Sequence, residues 1–297
     1  MSRTSTVLLA FLLVGAVSGA RAVVAADRYR FQPRVSVGDV YEVTARQTQS
    51  INIPVGLEAD ETSTEIEVTV ETKTRREVLA EVGGKATELR FTYLVAGMET
   101  AAPDGEKYGI SLPNAGRTFL LKKKNGKVSV TSEDGKVDKA TRKSFSDTLD
   151  LAGPIRFPNV ELAVGDDWDV PGGPNAASGT LERTSAKYLG ITEEQGEPRA
   201  RVEISKSSII SSGITIPGVS KFTIDSRMEG ELHYSPRRHR PIEMTLEGPL
   251  NMNGTIMKDG KEAPFTASGE ARETYEEKWI KIAGKPVEDA SATDAAR

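Results

Sequence analysis

The stretch REVLAEVGGKATELRFTY, residues 76–93, reads as two strands and the turn between them. Val78, Ala80 and Val82 fall at alternate positions up to Gly83-Gly84, and Thr87, Leu89, Phe91 and Tyr93 alternate back. A period of two puts such side chains on one face of a sheet, and a Gly pair supplies the backbone angles of a two-residue hairpin turn. The pattern recurs on either side. Ile66, Val68 and Val70 alternate with Glu65, Glu67 and Thr69, and Phe119-Leu120-Leu121 folds onto Val128 and Val130 through Asn125-Gly126. Ala186 and Tyr188 turn back to Ala200, Val202 and Ile204, while Met228, Gly230, Leu232 and Tyr234 alternate with Glu229, Glu231 and His233. Ile242, Met244 and Leu246, then Leu250, Met252 and Ile256, read as further strands. Phe265, Ala267, Gly269 and Ala271 follow, and a last strand ends near Trp279-Ile280-Lys281-Ile282. No connection is long enough for repeated βαβ crossovers. The expected fold is mainly β: curved antiparallel sheets, or a half-barrel.

A short echo divides the chain. Val37-Gly38-Asp39-Val40-Tyr41-Glu42-Val43 returns as Val164-Gly165-Asp166-Asp167-Trp168-Asp169-Val170, each copy with a Phe and a Pro upstream (Phe31 and Pro33; Phe157 and Pro158). Gly provides the unusual angle of a tight turn, Asp bonds back to the chain, and a strand begins. Two related β-rich halves are expected, residues 27–150 and 151–282, with a disordered tail over 283–297. Between them, Val137, Ala140, Thr141, Phe145 and Leu149 at spacings of three and four predict one amphipathic helix over 136–151, ended by Gly153-Pro154.

The N-terminus has a basic Arg3, an apolar run from Val7 to Val17 and small residues at alternate positions, the layout of a secretory signal peptide over residues 1–26. Cleavage after Ala22 or Ala26 fits, with Ala26 favoured. The expected location is periplasmic or secreted, with no transmembrane segment left after cleavage. Losing Arg3 and Arg21 lowers the 39 basic residues by two and leaves all 43 acidic ones. An acidic exported chain has no general electrostatic reason to seek DNA, RNA or anionic lipid. The complete absence of cysteine excludes disulfides, thiol nucleophiles and a lipid-acylated N-terminal Cys, and two histidines are too few for a three-His metal site.

Nucleophile elbows, phosphate loops, dinucleotide fingerprints and zinc-protease motifs are all missing, so neither catalytic residue nor cofactor nor metal is expected. His233 and His239 lie on a strand and in an Arg-rich turn, poor settings for a catalytic base. Asp166, Asp167 and Asp169 lack the ligand spacing of a calcium loop and read as a turn. Glu276-Glu277 reads as the solvated side of a strand.

Two groups remain as candidate contacts. Lys122-Lys123-Lys124 and Arg237, Arg238 and Arg240 form basic loops able to hold an anion, or simply to block sheet-edge pairing. Val137, Phe145 and Leu149 on the helix, with Ile209, Ile210, Ile214 and Ile216, are placed to line an apolar cavity, or simply to complete a core.

The V-G-D-x-[YW] starts, the Phe157-Pro158 approach to the second of them, and Gly230-Glu231-Leu232-His233-Tyr234 followed by Pro241-Ile242-Glu243-Met244 resemble a broad group of uncharacterised exported bacterial proteins built from a domain of unknown function. In fold alone the layout is similar to lipoprotein carriers and lipid-binding proteins of the bacterial envelope, where a half-barrel and helices enclose an apolar cavity. The resemblance implies a non-enzymatic protein that binds a hydrophobic or amphiphilic ligand, a lipid for example. A structural or protein-interaction module of the envelope and a metal-independent hydrolase are the alternatives.

Overall fold

A computed structural model of the chain describes residues 28–54, 63–101, 106–133, 135–145, 153–170, 180–194, 196–211, 219–258 and 261–287. The elements are β1 (Arg28–Tyr29), β2 (Val40–Pro54), β3 (Ser63–Val82), β4 (Lys85–Ala101), β5 (Lys107–Ser111), β6 (Thr118–Lys124), β7 (Lys127–Ser132), α1 (Lys139–Ser144), β8 (Leu162–Ala163) and β9 (Asp167–Val170). They continue with β10 (Thr180–Glu194), β11 (Glu197–Ser211), β12 (Val219–Ser235), β13 (Arg240–Lys258), β14 (Lys261–Ile282) and β15 (Lys285–Pro286). Thirteen strands form one antiparallel sheet in the order β7-β6-β4-β3-β2-β14-β13-β12-β11-β10-β9, with β5 added to β4 and β15 to β14. The path is open, since β7 and β9 end it without meeting, so the sheet is not closed into a barrel. The β2–β14 ladder, from Asn52↔Ser268 to Val40↔Lys281, joins the N-terminal meander to the C-terminal one.

The hairpin at residues 76–93 forms, with Val82 opposite Lys85 across Gly83-Gly84, but its ladder slips after Val78: Ala80 lies opposite Glu88 and Val82 is 72% exposed, so the three do not share one buried face as expected. Both glycines have positive φ, 62° and 79°, the turn whose twist matches the flanking strands. The echoed Gly-Asp pairs build the same turn twice. Asp39 accepts the Ser36 N–H, Gly38 N–H donates to the Val78 carbonyl, and Val78 N–H donates to the Asp39 carbonyl. Asp166 accepts the Ala163 N–H, and Gly165 and Asp166 make the matching pair of bonds with Tyr188. Immediately beyond each docking residue the ladder slips, between Val78 and Ala80 and between Tyr188 and Gly190. The Phe31 and Phe157 rings stack at 4.6 Å, within an aromatic cluster that includes Tyr29, Trp168, Tyr188 and Tyr234.

Register separates two faces, since residues opposite each other on neighbouring strands share a side. One carries Val43, Phe91, Leu121, Val202, Leu232 and Met252 among its many buried apolar residues. The other is polar, with pairs such as Glu42 held by Lys73 at 2.9 Å and by Arg75 at 2.7 Å. On the apolar face, Lys206 of β11 meets Glu273 of β14 at 2.7 Å. Three strand spacings of about 4.8 Å would hold their Cα atoms roughly 14 Å apart on a flat sheet, where side chains standing roughly perpendicular to it would not meet, so the sheet curves toward this side.

Glycines permit that curvature. An added Cβ at Gly230, Gly248 or Gly269 would land on the carbonyl of Thr245, Arg227 or Ser50 of the adjoining strand. These three successive strands close in where only a missing side chain leaves room. Pro249, next to Gly248, has no N–H to give, and the β12–β13 pairing skips Arg227 and Met228 before resuming in the same register.

Several expectations change. β13 and β14 are single strands of 19 and 22 residues, where the pattern at Gly248-Pro249 and beyond Ala271 reads as separate pieces. The described helix covers only six residues; it starts later than expected because Asp138 caps it, accepting from the Thr141 N–H at 2.8 Å. Residues 146–151, the rest of the expected helix, lie outside the described residues, as do the expected signal peptide and residues 288–297. Residues 283–287, expected in the tail, belong to the fold: Ala283 N–H donates to Asp39 Oδ1 at 2.7 Å, and Lys285 pairs with Ile282.

Gly269→Ala should destabilise the protein by about 2–4 kcal/mol, whereas Gly109→Ala, where an added Cβ meets nothing within 4 Å, should be near neutral. Urea unfolding midpoints of the two variants check this.

Candidate functional site

Where β2, β3, β4 and β14 turn their apolar sides inward, a cavity of about 350 Å³ opens, lined by Val43, Thr74, Arg76, Phe91, Tyr93, Phe145 and Tyr275 among others. Gly153 and Pro154 also border it. Its size is at the lower end of small-molecule pockets, roughly 300–1,000 Å³. Phe145, just after α1, is 2% exposed and makes one wall, its ring 4.9 Å from Phe119, 5.1 Å from Phe91 and 6.2 Å from Tyr93.

Beside the cavity a charged pair is sealed in. Arg240 donates to both Glu277 oxygens, at 2.9 and 2.7 Å, and Tyr275 donates its hydroxyl to the same carboxylate at 2.8 Å. The Glu277 side chain is 0% and that of Arg240 3% exposed. Burial alone would disfavour the guanidinium charge, but the carboxylate outweighs it and holds Arg240 above its ordinary pKa. Burial and then the neighbouring carboxylate push the Tyr275 phenol well up. Arg240 also lies 4.6 Å over the Tyr41 ring, which packs on Trp279.

Two polar groups at the cavity lack such partners. Arg76 sits 5.1 Å over the Phe91 ring, but its Nε is buried without a hydrogen bond and it pairs with no carboxylate among the described residues. The Thr74 hydroxyl, on a residue 4% exposed, is likewise unpartnered. Glu273 borders the cavity too, but Lys206 holds it at 2.7 Å.

The candidate contacts disperse. Val137 is buried in the core, and Phe145 alone of the apolar set lines the cavity. Ile209 is 40% exposed and has outer-face parity, opposite Leu181. Ile210 pairs through its backbone with Thr180 and Ile224. Leu149, Ile214 and Ile216 lie outside the described residues. Lys122, bridged to Glu88, Lys123 and Lys124 stand at the β6–β7 hairpin tip. Arg237 and Arg238 occupy the β12–β13 turn, but Arg240 leaves that loop for the interior, because Glu277 compensates its charge there. Glu277 is correspondingly not on a solvated strand side: it has the parity of Tyr275 and Trp279. His233 lies on the polar face, 3.0 Å from Glu243. Arg76 carried a readable signal, a charge at the parity of Val78 and Thr74.

Among the described residues no three metal-binding side chains converge, and no helix is long and apolar enough to cross a membrane. No family model matches the chain, and no curated protein does. Solved structures give distant likenesses. A structure described as showing lipid–protein interactions in lipovitellin aligns over 87% of this chain at 9% identity with a TM-score of 0.43, and the chain spans 26% of it. DynF, from the dynemicin biosynthesis pathway of Micromonospora chersina, aligns over 88% of this chain and 89% of its own at 9% identity and a TM-score of 0.24. A porin-like protein from Bacteroides uniformis aligns over 79% and 96% at 8% identity and 0.15. At such scores the likenesses assign neither fold family nor activity.

Glu277→Gln should cost about 3–5 kcal/mol, since it leaves a buried guanidinium uncompensated. Chemical denaturation measures it; a loss below about 1 kcal/mol would mean that Arg240 reaches water.

Proposed function

We propose that the chain is an exported, non-enzymatic binder of a hydrophobic or amphiphilic ligand, held against the concave face of the sheet. The observation that carries this reading is the cavity at Phe91, Tyr93, Phe145 and Tyr275, an apolar hollow on the inner side of a curved sheet. Core packing alone would fill such a space, since interiors are packed to crystal-like density. Export rests on the signal-like residues 1–26, and the non-enzymatic role on the lack of any catalytic constellation in the sequence. The echo of the Gly-Asp turn supports two halves of common design, with the cavity lined by both: β2, β3 and β4 of the first and β14 with Gly153-Pro154 of the second.

A protein-docking role is the second reading. It is favoured by Leu94, Val95 and Ile110, exposed around a recess of about 610 Å³ beside the edge strand β5.

Native mass spectrometry of protein prepared without detergent from its own cells should find a stoichiometric organic ligand that solvent extraction releases. Phe145→Asp, which sets a carboxylate into the wall, should abolish that adduct while the strand circular dichroism persists. A wild-type protein that stays bare after incubation with its own cell lipids would contradict the proposal.

A further inference from the structure

We infer that Arg76 and Thr74 form the polar end of the concave cavity and take the anionic oxygen head of a single-chain amphiphile. This deepens the proposed function and rests on it. A guanidinium is never neutral in a protein and offers five N–H donors in a fork suited to oxyanions. Among the described residues, two cations of the concave face are matched by carboxylates, Arg240 by Glu277 and Lys206 by Glu273 and Glu182, while Arg117, 5.0 Å over the Phe119 ring, donates to Ser132 Oγ and the Lys136 carbonyl. Arg76 has aromatic faces, Phe91 at 5.1 Å and Tyr41 at 6.0 Å, and a buried Nε with no acceptor among the described residues.

Thr74 supplies an independent observation. It precedes Arg76 by two residues on β3, so both project to the same side, and its hydroxyl is buried with no partner. A buried hydroxyl left unsatisfied costs free energy that a valine of the same shape would not. An oxyanion lodged between the two groups would accept from both. Neither neighbouring carboxylate can serve: Glu273, which borders the cavity, is held by Lys206, and Glu277, in register with Thr74 through Val43, is held by Arg240. The apolar wall of Phe91, Tyr93 and Phe145 then receives the chain, and about 350 Å³ has room for one chain rather than a diacyl lipid.

The test is calorimetric titration of the whole purified chain, stripped of any carried ligand, with dodecanoate, dodecyl phosphate and the neutral dodecanol below their aggregation limits, and with acetate and inorganic phosphate as heads without tails. The anionic amphiphiles should bind roughly tenfold or more tightly than dodecanol, the worth of one charge-assisted hydrogen-bonded contact, and the tailless anions should not bind measurably. Arg76→Gln should erase the preference, lowering affinity for the anions roughly tenfold more than that for dodecanol. Thr74→Val should narrow the preference and leave the unfolding midpoint equal to wild type or higher, which separates a head-group role from a fold defect. Equal affinity for dodecanol and the anions in wild type, or an Arg76→Gln loss shared by all ligands, would overturn this inference while leaving amphiphile binding intact. Binding of none of the three chains would overturn the proposed function itself, and phosphate bound as tightly as dodecyl phosphate would make the site one for free anions.

Discussion

The close approach of neighbouring backbones at Gly230, Gly248 and Gly269 is the constraint on which the rest depends. Strands of 17 to 22 residues at the centre of a sheet would otherwise build a broad twisted plane, with one apolar side open to water. Removing three side chains from the inner face lets β12, β13 and β14 bend toward it. The face then partly buries itself: Lys206 reaches across β12 and β13 to Glu273, and Phe145 with Gly153 and Pro154 covers the ground beside β14. The cost is a lapse in the β12–β13 ladder where Pro249 offers no donor.

Polar groups on the concave face follow a rule that exposes the exception. A charge there survives only with a partner, because desolvation is otherwise too costly. Arg240 and Glu277 satisfy each other bidentately, with Tyr275 as a third member. Lys206 stands between two carboxylates, which hold its pKa up against burial. Arg76 and Thr74 break the rule beside a cavity, whereas the unsatisfied Tyr29, Tyr188 and Tyr234 hydroxyls lie in the aromatic cluster, and each such buried group calls for an explanation.

Much of this architecture was legible in the sequence, and the failures are physical rather than random. Period-two alternation located the hairpins at residues 76–93, 119–130 and 186–204, because solvent on one side and core on the other enforce it. The Gly-Asp echo identified two turns whose hydrogen bonds prove equivalent. Strand continuity was missed at Gly248-Pro249, since residues that normally break a strand here bend one. Arg240 was read as a loop cation and Glu277 as a solvated acid, because each is recognisable as buried only with the other, 37 residues away. Local pattern carries no record of such a partner. Parity did: Arg76 and Glu277 both fall on the apolar side of their strands, and a charge at an apolar parity is the signal that finds them.

The central claim, that the ligand lies against the concave face, is tested most directly by photolabelling with a dodecanol that carries a diazirine near its chain end, followed by peptide mapping. The account predicts adducts on Phe91, Tyr93, Phe145 or Tyr275, competed away by unlabelled dodecanoate. Adducts confined to Leu94 and Val95, at the recess beside β5, would contradict it.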